Sequence, residues 1–199
     1  MEFEYIKNSV SSSKELILKE AFKLFLQKNV EKVTIDELER ATKLRRGAIF
    51  YYFKDKKNIF KEVIDKYFFS PLNMFYPIQP DNIFLLKDYW ELKNNHISKI
   101  QDWLREEKVF TNPYLAFFHI AEQANLYLPN FNKKMLEMVD LNRLYWQCVA
   151  AKDSILLDKI VDNPKFLGNY FEALYWEQCY ISCYDAERAI HNNMALLYK

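Results

Sequence analysis

Residues 34–57 read TIDELERATKLRRGAIFYYFKDKK, and this stretch decides the fold. Thr34 is followed three residues later by Glu37. This is the spacing of a capping box, in which a hydroxyl and a carboxylate each bond a backbone N–H at a helix start. A short helix is therefore predicted from residue 35, and after an interruption at Lys43 a second one begins near Arg45. Two short helices joined by a tight turn make a helix-turn-helix motif.

The two helices of this motif have faces of different character. Ile35 and Leu38 of the first helix and Ile49, Phe50 and Phe53 of the second are predicted to hold the motif to the core. The remaining side of the second helix is basic and aromatic, so it needs a partner outside the motif. Its residues are Arg46, Tyr51, Tyr52 and Lys54.

The composition favours helices throughout the chain. Of its 199 residues, 50% are hydrophobic, and there are only 2 Gly and 6 Pro. An average chain of this length would contain roughly 14 Gly, because the usual frequency is about 7%. Tight hairpins depend on glycine, so the deficit predicts an all-α protein.

The charge is distributed unevenly along the chain. Residues 1–70 contain 15 Lys and Arg against 11 Asp and Glu, a charge of +4, whereas residues 71–199 contain 13 against 16, a charge of −3. Within residues 43–57 there are six cationic residues and one Asp. The sequence therefore predicts a basic head followed by a mildly acidic body.

The remaining composition gives expectations about location and chemistry. The chain starts without a signal-peptide pattern, and no run approaches the roughly 18 apolar residues of a membrane span, so a soluble cytoplasmic protein is expected. The odd number of cysteines, Cys148, Cys179 and Cys183, argues against a disulfide framework. We find no nucleophile elbow, phosphate-binding Gly loop, paired carboxylate motif or convincing metal set, and expect no enzymatic activity and no cofactor.

Capping signals extend the helical pattern on both sides of the motif. Ser12 with Glu15 predicts a first helix over residues 14–28, and Asp55 is placed to cap a fourth helix that starts at Lys56. These four helices are assigned to a DNA-binding domain of residues 1–70, and residues 71–199 to a second, larger domain. Further helices are predicted near 82–93, 96–107, 113–127, 131–150, 165–183 and 186–198.

Four segments of the N-terminal domain carry a family resemblance. AFKLF in the first helix, TIDELERAT in the second, RRGAIFYYF in the third and KDKKNIF at the start of the fourth resemble the DNA-binding head of the tetracycline-repressor (TetR) family. The resemblance covers about the first third of the chain. It implies a helix-turn-helix head followed by a larger helical domain for effector binding and dimerisation.

Candidate DNA contacts follow from the resemblance and from electrostatics. The resemblance implies that family contact positions are occupied here by Thr34, Arg45, Arg46, Ala48, Tyr51, Tyr52 and Lys56. Cations at the starts of the third and fourth helices oppose the helix dipole unless a phosphate binds there, which also favours Lys57. Gly47 would let the backbone approach a groove, Lys54 adds positive charge, and Arg46 is the best candidate for reading a guanine edge. The alternatives are a solvated basic face and, for the two tyrosines, a place in the core.

The chain departs from the family pattern at three positions. Lys43 replaces the usual Gly of the turn, where a left-handed conformation would cost on the order of 1 kcal/mol. Arg45 replaces a Ser or Thr cap and offers no acceptor, so the first N–H groups of the third helix are expected to be available. Phe50 replaces a Tyr that contacts phosphate, and is expected in the core.

The second domain is expected to hold an effector and to pair with a second copy. By analogy with the family, a pocket for a small apolar or aromatic effector is expected from Trp103, Phe117, Phe118, His119, Glu122, Gln123, Tyr127 and Trp146, although most such residues are simply core. The helix at 165–183 is apolar over more than one face. Together with a neighbouring helix, it is expected to form the interface of a homodimer. A two-fold dimer places two recognition helices ~34 Å apart and implies a palindromic operator.

The function expected from these features is a transcriptional regulator, most simply a repressor released from its operator by the effector. Two other classes remain open. An all-α small-molecule-binding protein or enzyme would keep the head as structure without binding DNA. A helical protein–protein adaptor would leave the basic head unexplained.

Overall fold

A computed structural model describes residues 12–159 and 162–185 together with Tyr198, and confirms the predicted all-α class. These residues form helices and contain no strand. The helices are α1 (Ser13–Phe25), α2 (Ile35–Thr42), α3 (Arg46–Tyr52), α4 (Lys56–Val63), α5 (Leu86–Glu106), α6 (Pro113–Tyr127), α7 (Phe131–Ala150), α8 (Ser154–Lys159) and α9 (Pro164–Ser182).

The chain divides into two compact units. The first contains the chain up to Asn73 together with Ile100–Phe131, and the second contains Met74–Lys99 and the chain from Asn132 onwards. Helices α1–α4, which we call the head, therefore share the first unit with α6. The second unit contains α7, α8, α9 and most of α5.

Aromatic packing builds the core of the first unit. Helix α4 continues as a π-helical segment, Ile64–Phe68, and this segment buries Tyr67 and Phe68. The Tyr67 ring stacks on Phe22 of α1 at 4.9 Å between centroids, and the Phe68 ring stacks on Phe117 of α6 at 5.0 Å. Burying rings of this size contributes most of the apolar area that stabilises such a core. The head and α6 are thus joined by continuous hydrophobic contact.

Side-chain caps fix most helix starts in the first unit where the sequence predicts them. The Ser12 hydroxyl accepts a hydrogen bond from the Glu15 N–H at 3.3 Å, and the Asp55 carboxylate accepts one from the Asn58 N–H at 2.8 Å. Asn112 caps α6 ahead of Pro113. These caps confirm the predicted starts, but α1 ends at Phe25, three residues before the predicted end.

The second unit has a core of large aromatic side chains with buried polar groups among them. Trp146 of α7 is fully buried and meets the rings of Tyr89, Trp90, Phe171 and Tyr175. The buried Asp153 carboxylate accepts hydrogen bonds from the Leu86 N–H and the Leu156 N–H, and so caps two helices at once. Other buried polar residues described in this unit are Lys93, His96, Asn142, Glu172, Gln178 and Ser182.

Three helix predictions need correction or fall outside the described residues. The predicted helices at 82–93 and 96–107 are one helix, Leu86–Glu106, because Lys93 and Asn94 find hydrogen-bond partners in Asn142 and Gln178 and no loop is needed. The short helix Ser154–Lys159 was not predicted. The predicted helix at 186–198 lies outside the described residues except for Tyr198.

The described residues also bear on the expectations about cysteines, metal ions and membrane spans. Cys179 is buried, Cys183 is half-buried and Cys148 is exposed, and all three are free thiols. Among the described residues, no group of three or more His, Cys, Asp or Glu is placed to hold a metal ion. No helix in the same part of the chain is long and apolar enough to cross a membrane.

Candidate nucleic-acid interface

The helix-turn-helix begins with the predicted capping box. The Thr34 hydroxyl accepts a hydrogen bond from the Glu37 N–H at 3.2 Å, and the Glu37 carboxylate accepts one from the Thr34 N–H at 2.9 Å. Lys28 also pairs with this carboxylate, and the bonds from Lys28 and Thr34 lower the pKa of Glu37 to about 2. The cap therefore stays ionised over the whole neutral range, and α2 begins at Ile35 as predicted.

The turn between α2 and α3 has a left-handed backbone conformation at Lys43, the position where the family usually has glycine. Lys43 ends α2 with φ of 58° and ψ of 19°, the left-handed region that favours glycine. The Thr42 hydroxyl donates a hydrogen bond to the Leu38 carbonyl at 2.6 Å and accepts one from the Leu44 N–H at 3.2 Å. The turn thus keeps the helix-turn-helix geometry at the cost of backbone strain at one exposed residue.

The start of α3 differs from the prediction. Arg45 makes no side-chain cap, as expected, but the Glu39 carboxylate of α2 accepts a hydrogen bond from the Arg46 N–H at 2.6 Å. The expectation that the first N–H groups are available is therefore wrong for Arg46. A carboxylate at a helix N-terminus is favourable because of the helix dipole. Glu39 replaces the missing Ser or Thr cap and ties α2 to α3.

The outward face of α3 is aromatic and basic. Tyr51 is 82% exposed, and its ring meets Tyr52 edge to face at 5.0 Å. Ile49 and Phe53 are buried as predicted, but Phe50 is 42% exposed, so its predicted place in the core is wrong. Ile49 and Phe53 are four residues apart and so lie on the same, inner face of the helix. Phe50 follows Ile49 directly, so its side chain points about 100° away from that face. The exposed face therefore presents three aromatic rings instead of two.

The remaining positions of the predicted contact set are also accessible. Arg45, Arg46 and Gly47 are exposed, Ala48 is half-buried, and a Cβ added at Gly47 would meet no atom within 4 Å. The Arg46 guanidinium lies 3.2 Å from the Asp36 carboxylate, with both side chains exposed. An exposed ion pair of this kind contributes little to stability and is easily exchanged.

The three lysines after α3 have different surroundings. Lys54 is exposed, and the Lys57 ammonium lies 5.7 Å from the centre of the Tyr127 ring. The Lys56 ammonium instead donates to the Glu31 carbonyl at 2.8 Å and to the Val33 carbonyl at 2.7 Å, and burial lowers its pKa. The charged group of Lys56 therefore already bonds to two backbone carbonyls of the head.

The residues around this candidate interface are similar to those of known proteins. The family model described as bacterial regulatory proteins, tetR family, matches residues 17–63. Residues 17–63 are thus similar to the DNA-binding head of TetR-family regulators. The match extends from α1 to the end of α4 and contains the whole helix-turn-helix. The TetR resemblance predicted from the sequence is therefore confirmed.

Two curated proteins are similar to the TetR head of this chain. The HTH-type transcriptional regulator AcrR of Shigella flexneri is 35% identical over 57 residues, which are 29% of this chain and 26% of that protein. The HTH-type transcriptional repressor BepR of Brucella suis biovar 1 (strain 1330) is 33% identical over 60 residues, which are 30% of this chain and 29% of that protein. The alignments thus cover under a third of either relative. No solved structure matches the chain.

The predicted effector residues separate between the two units. Trp103 and Phe117 are buried in the first unit, Phe118, His119 and Tyr127 are half-buried there, Gln123 is buried, and Glu122 is exposed. Trp146 belongs to the core of the second unit. The Trp103 ring lies 5.9 Å from Phe22, and its indole N–H is buried with no hydrogen-bond acceptor among the described residues.

Sequence reasoning missed two acidic residues beside the basic face. Asp36 and Glu39 both lie on α2, and each meets Arg46 through a different atom. Their separations of seven and ten residues from Arg46 match no local capping pattern, so no sequence signal identified them. They place two carboxylates of α2 beside the basic face, and both bond to Arg46.

Proposed function

We propose that this chain is a DNA-binding transcriptional regulator, a repressor that leaves a palindromic operator when a small apolar or aromatic effector binds. Residues 1–70 bind DNA, and residues 71–199 bind the effector and form the dimer. The observation that carries the proposal is the exposed face of α3, on which cations and aromatic rings stand together on a helix held by buried Ile49 and Phe53. Cationic side chains can bind DNA phosphates and base edges, and the tyrosine hydroxyls can bond phosphates.

The proposed contacts differ in the part of DNA that they meet. Arg46 exchanges Asp36 for the O6 and N7 atoms of a guanine, which match the fork of its guanidinium. Tyr51 and Tyr52 bond phosphates and pack on sugars, and Gly47 permits a close approach of the backbone. The start of α2 and the flanking cations meet phosphates, with Lys56 the weakest because of its two carbonyl bonds. These flanking residues are Thr34, Arg45, Ala48, Lys54, Lys56 and Lys57.

Dimer formation is supported by exposed apolar side chains in the second unit. Phe166 and Tyr170 of α9 are stacked at 6.2 Å and are each about half exposed. Leu141 and Leu144 of α7 are also exposed. Residues three or four apart share one face of a helix, so α7 and α9 each present an apolar face suited to a second copy of the chain. In such a dimer the two α3 helices would read half-sites ~34 Å apart.

We place the proposed effector site among the residues around α6. The buried indole N–H of Trp103 supports an effector that carries a hydrogen-bond acceptor beside an apolar ring, because a buried donor without an acceptor is destabilising. An effector that binds better to one arrangement of the dimer shifts the population towards it, and DNA affinity falls when the heads are wrongly spaced.

The direct test is the affinity of the full chain for a sequence selected from a random DNA library. Arg46→Ala should weaken binding 5- to 150-fold, because a good guanine contact is worth about 1–3 kcal/mol. The matched control is Arg105→Ala, since Arg105 is also well exposed, 73% against 61% for Arg46, and also pairs with an acidic side chain, Asp102 at 2.6 Å. Arg105→Ala should change affinity less than twofold. Equal effects of the two variants, or no DNA binding by the wild type, would contradict the proposal.

A further inference from the structure

The loop of residues 30–33, which leads from α1 into the helix-turn-helix, is held by side chains of α6. The backbone N–H of Val30 donates a buried hydrogen bond to the Gln123 side-chain oxygen. Residue 34 follows as the cap of α2, so this loop fixes where the helix-turn-helix starts. Gln123 lies 93 residues away in sequence and outside the residues that match the family model.

The Gln123 amide is held on both sides. Its Nε2 atom lies 2.8 Å from the His119 Nε2 atom and donates to the His119 carbonyl at 3.3 Å. Gln123 itself is 6% exposed, so water does not compete for these bonds. Because Nε2 faces the histidine, Oε1 is the atom that faces Val30. The amide is therefore oriented to accept from the loop.

A second side chain of α6 holds the next residue of the loop. The Tyr127 hydroxyl donates to the Glu31 carboxylate at 2.6 Å, and the hydrogen bond with Glu31 raises the pKa of Tyr127. The Tyr127 ring also meets Phe60 of α4 edge to face at 6.4 Å. Lys56 bonds to the carbonyls of residues 31 and 33, so three side chains hold three of the four loop residues.

We propose that Gln123 and Tyr127 are positioning residues for sequence-specific DNA binding, acting through the loop of residues 30–33. This inference rests on the proposed function. Reading base edges requires the recognition helix to be placed within about 0.5 Å, whereas attraction to phosphates tolerates a looser placement. Releasing the loop should therefore weaken binding to the selected sequence and leave binding to random DNA nearly unchanged.

The experiment compares variants of the full chain by affinity for the selected sequence and for random DNA of equal length at one salt concentration. Gln123→Met removes the acceptor at similar volume, and Gln123→Glu restores it. Gln123→Met should lower specific affinity about tenfold, change random-DNA affinity less than twofold, and accelerate hydrogen exchange in the peptide that contains Val30. Gln123→Glu keeps the acceptor for the Val30 N–H but loses the donor to the His119 carbonyl, so it should retain more specific affinity than Gln123→Met and less than the wild type. The control is Leu126→Met, because Leu126 is an α6 residue that is 71% exposed, and this variant should match the wild type.

Tyr127→Phe provides a milder variant, because it removes only the hydroxyl and keeps the ring that packs on Phe60. It should lower specific affinity about threefold. If the Gln123 and Tyr127 variants exchange faster near Val30 yet keep the ratio of specific to random affinity, the inference is overturned. A parallel fall in both affinities would also overturn it, since that indicates general loss of structure. Absence of DNA binding by the wild type would instead refute the proposed function, and this inference with it.

Discussion

The two glycines of the chain, Gly47 in α3 and Gly168 in α9, have opposite surroundings. A Cβ added at Gly47 would meet nothing within 4 Å. A Cβ added at Gly168 would lie 2.6 Å from both the N and the Cα atoms of Gln147, in the backbone of α7. The absent side chain leaves a surface open in the head, whereas in the second unit it lets two helices approach closely. The same residue type thus leaves an open surface in one region and permits tight packing in the other.

Polar side chains show the same difference between the two regions. In the head, Arg46 and Asp36 pair in solvent, where either can change partner. In the second unit the Lys93 ammonium is buried and donates to the Tyr76 carbonyl and the Asn142 side-chain oxygen, each at 3.0 Å. A buried charge must keep its partners because desolvation is expensive. The head is therefore built to exchange contacts and the second unit to keep them.

The largest effect is expected from Gly168→Ala. The new methyl group collides with backbone that cannot rotate away, so the free energy of unfolding should fall by about 3 kcal/mol. Gly47→Ala is the matched control, and it should raise the free energy of unfolding by about 0.5 kcal/mol because alanine favours the helix. Urea denaturation of both variants measures the difference. Similar changes in the two variants would remove the contrast between the regions.

The pH dependence of stability tests the buried lysine. Burial lowers the pKa of Lys93 to about 7 in the folded protein, whereas in the unfolded chain a lysine titrates near pH 10.4. Between these values the unfolded state binds more protons, so this residue makes stability rise with pH, by at most about 1.4 kcal/mol per pH unit, and adds no slope below pH 7. Denaturation of the wild type, Lys93→Met and the exposed control Lys99→Met from pH 7 to 10 measures this. Lys93→Met alone should lose the rise, and an unchanged slope would contradict the account.

A smaller effect is expected at the turn of the helix-turn-helix. Lys43→Gly should raise the free energy of unfolding by about 1 kcal/mol, because glycine adopts the left-handed conformation of this residue without strain. Lys43→Ala removes the same charge but keeps the strain, so it should not stabilise the protein. Thermal unfolding at one pH compares them. Equal stabilisation by both variants would mean that charge, not backbone conformation, is the cause.

The parts of the fold that were predicted from sequence are those fixed by near neighbours. Thr34 and Asp55 cap helices through residues three positions away, so their roles are visible in a short window. The Glu39 cap on α3 and the clamp of Gln123 on Val30 join residues seven and 93 positions apart, and no local pattern contains them. The prediction for Phe50 is wrong because apolar character alone does not tell which face of a helix a residue occupies, and Phe50 lies outside the face of Ile49 and Phe53.

The same reasoning explains the errors in the second unit. The run of Lys93, Asn94 and Asn95 resembles a loop, but Lys93 and Asn94 are partnered by residues from α7 and α9 and remain within one helix. Helix α8 is only six residues long and depends on the Asp153 cap. For the interface, the basic and aromatic character of α3 was predictable, whereas the acidic residues of α2 that balance it were not.

The central claim is that the exposed face of α3 binds DNA, and the salt dependence of DNA affinity tests it most directly. The logarithm of the affinity of the full chain for the selected sequence should fall linearly with the logarithm of salt concentration, with a slope of about −0.9 for each neutralised phosphate. Lys54→Ala, which removes an exposed cation, should make this slope smaller by about one. A slope near zero, or no binding to any genomic fragment at low salt, would contradict the account.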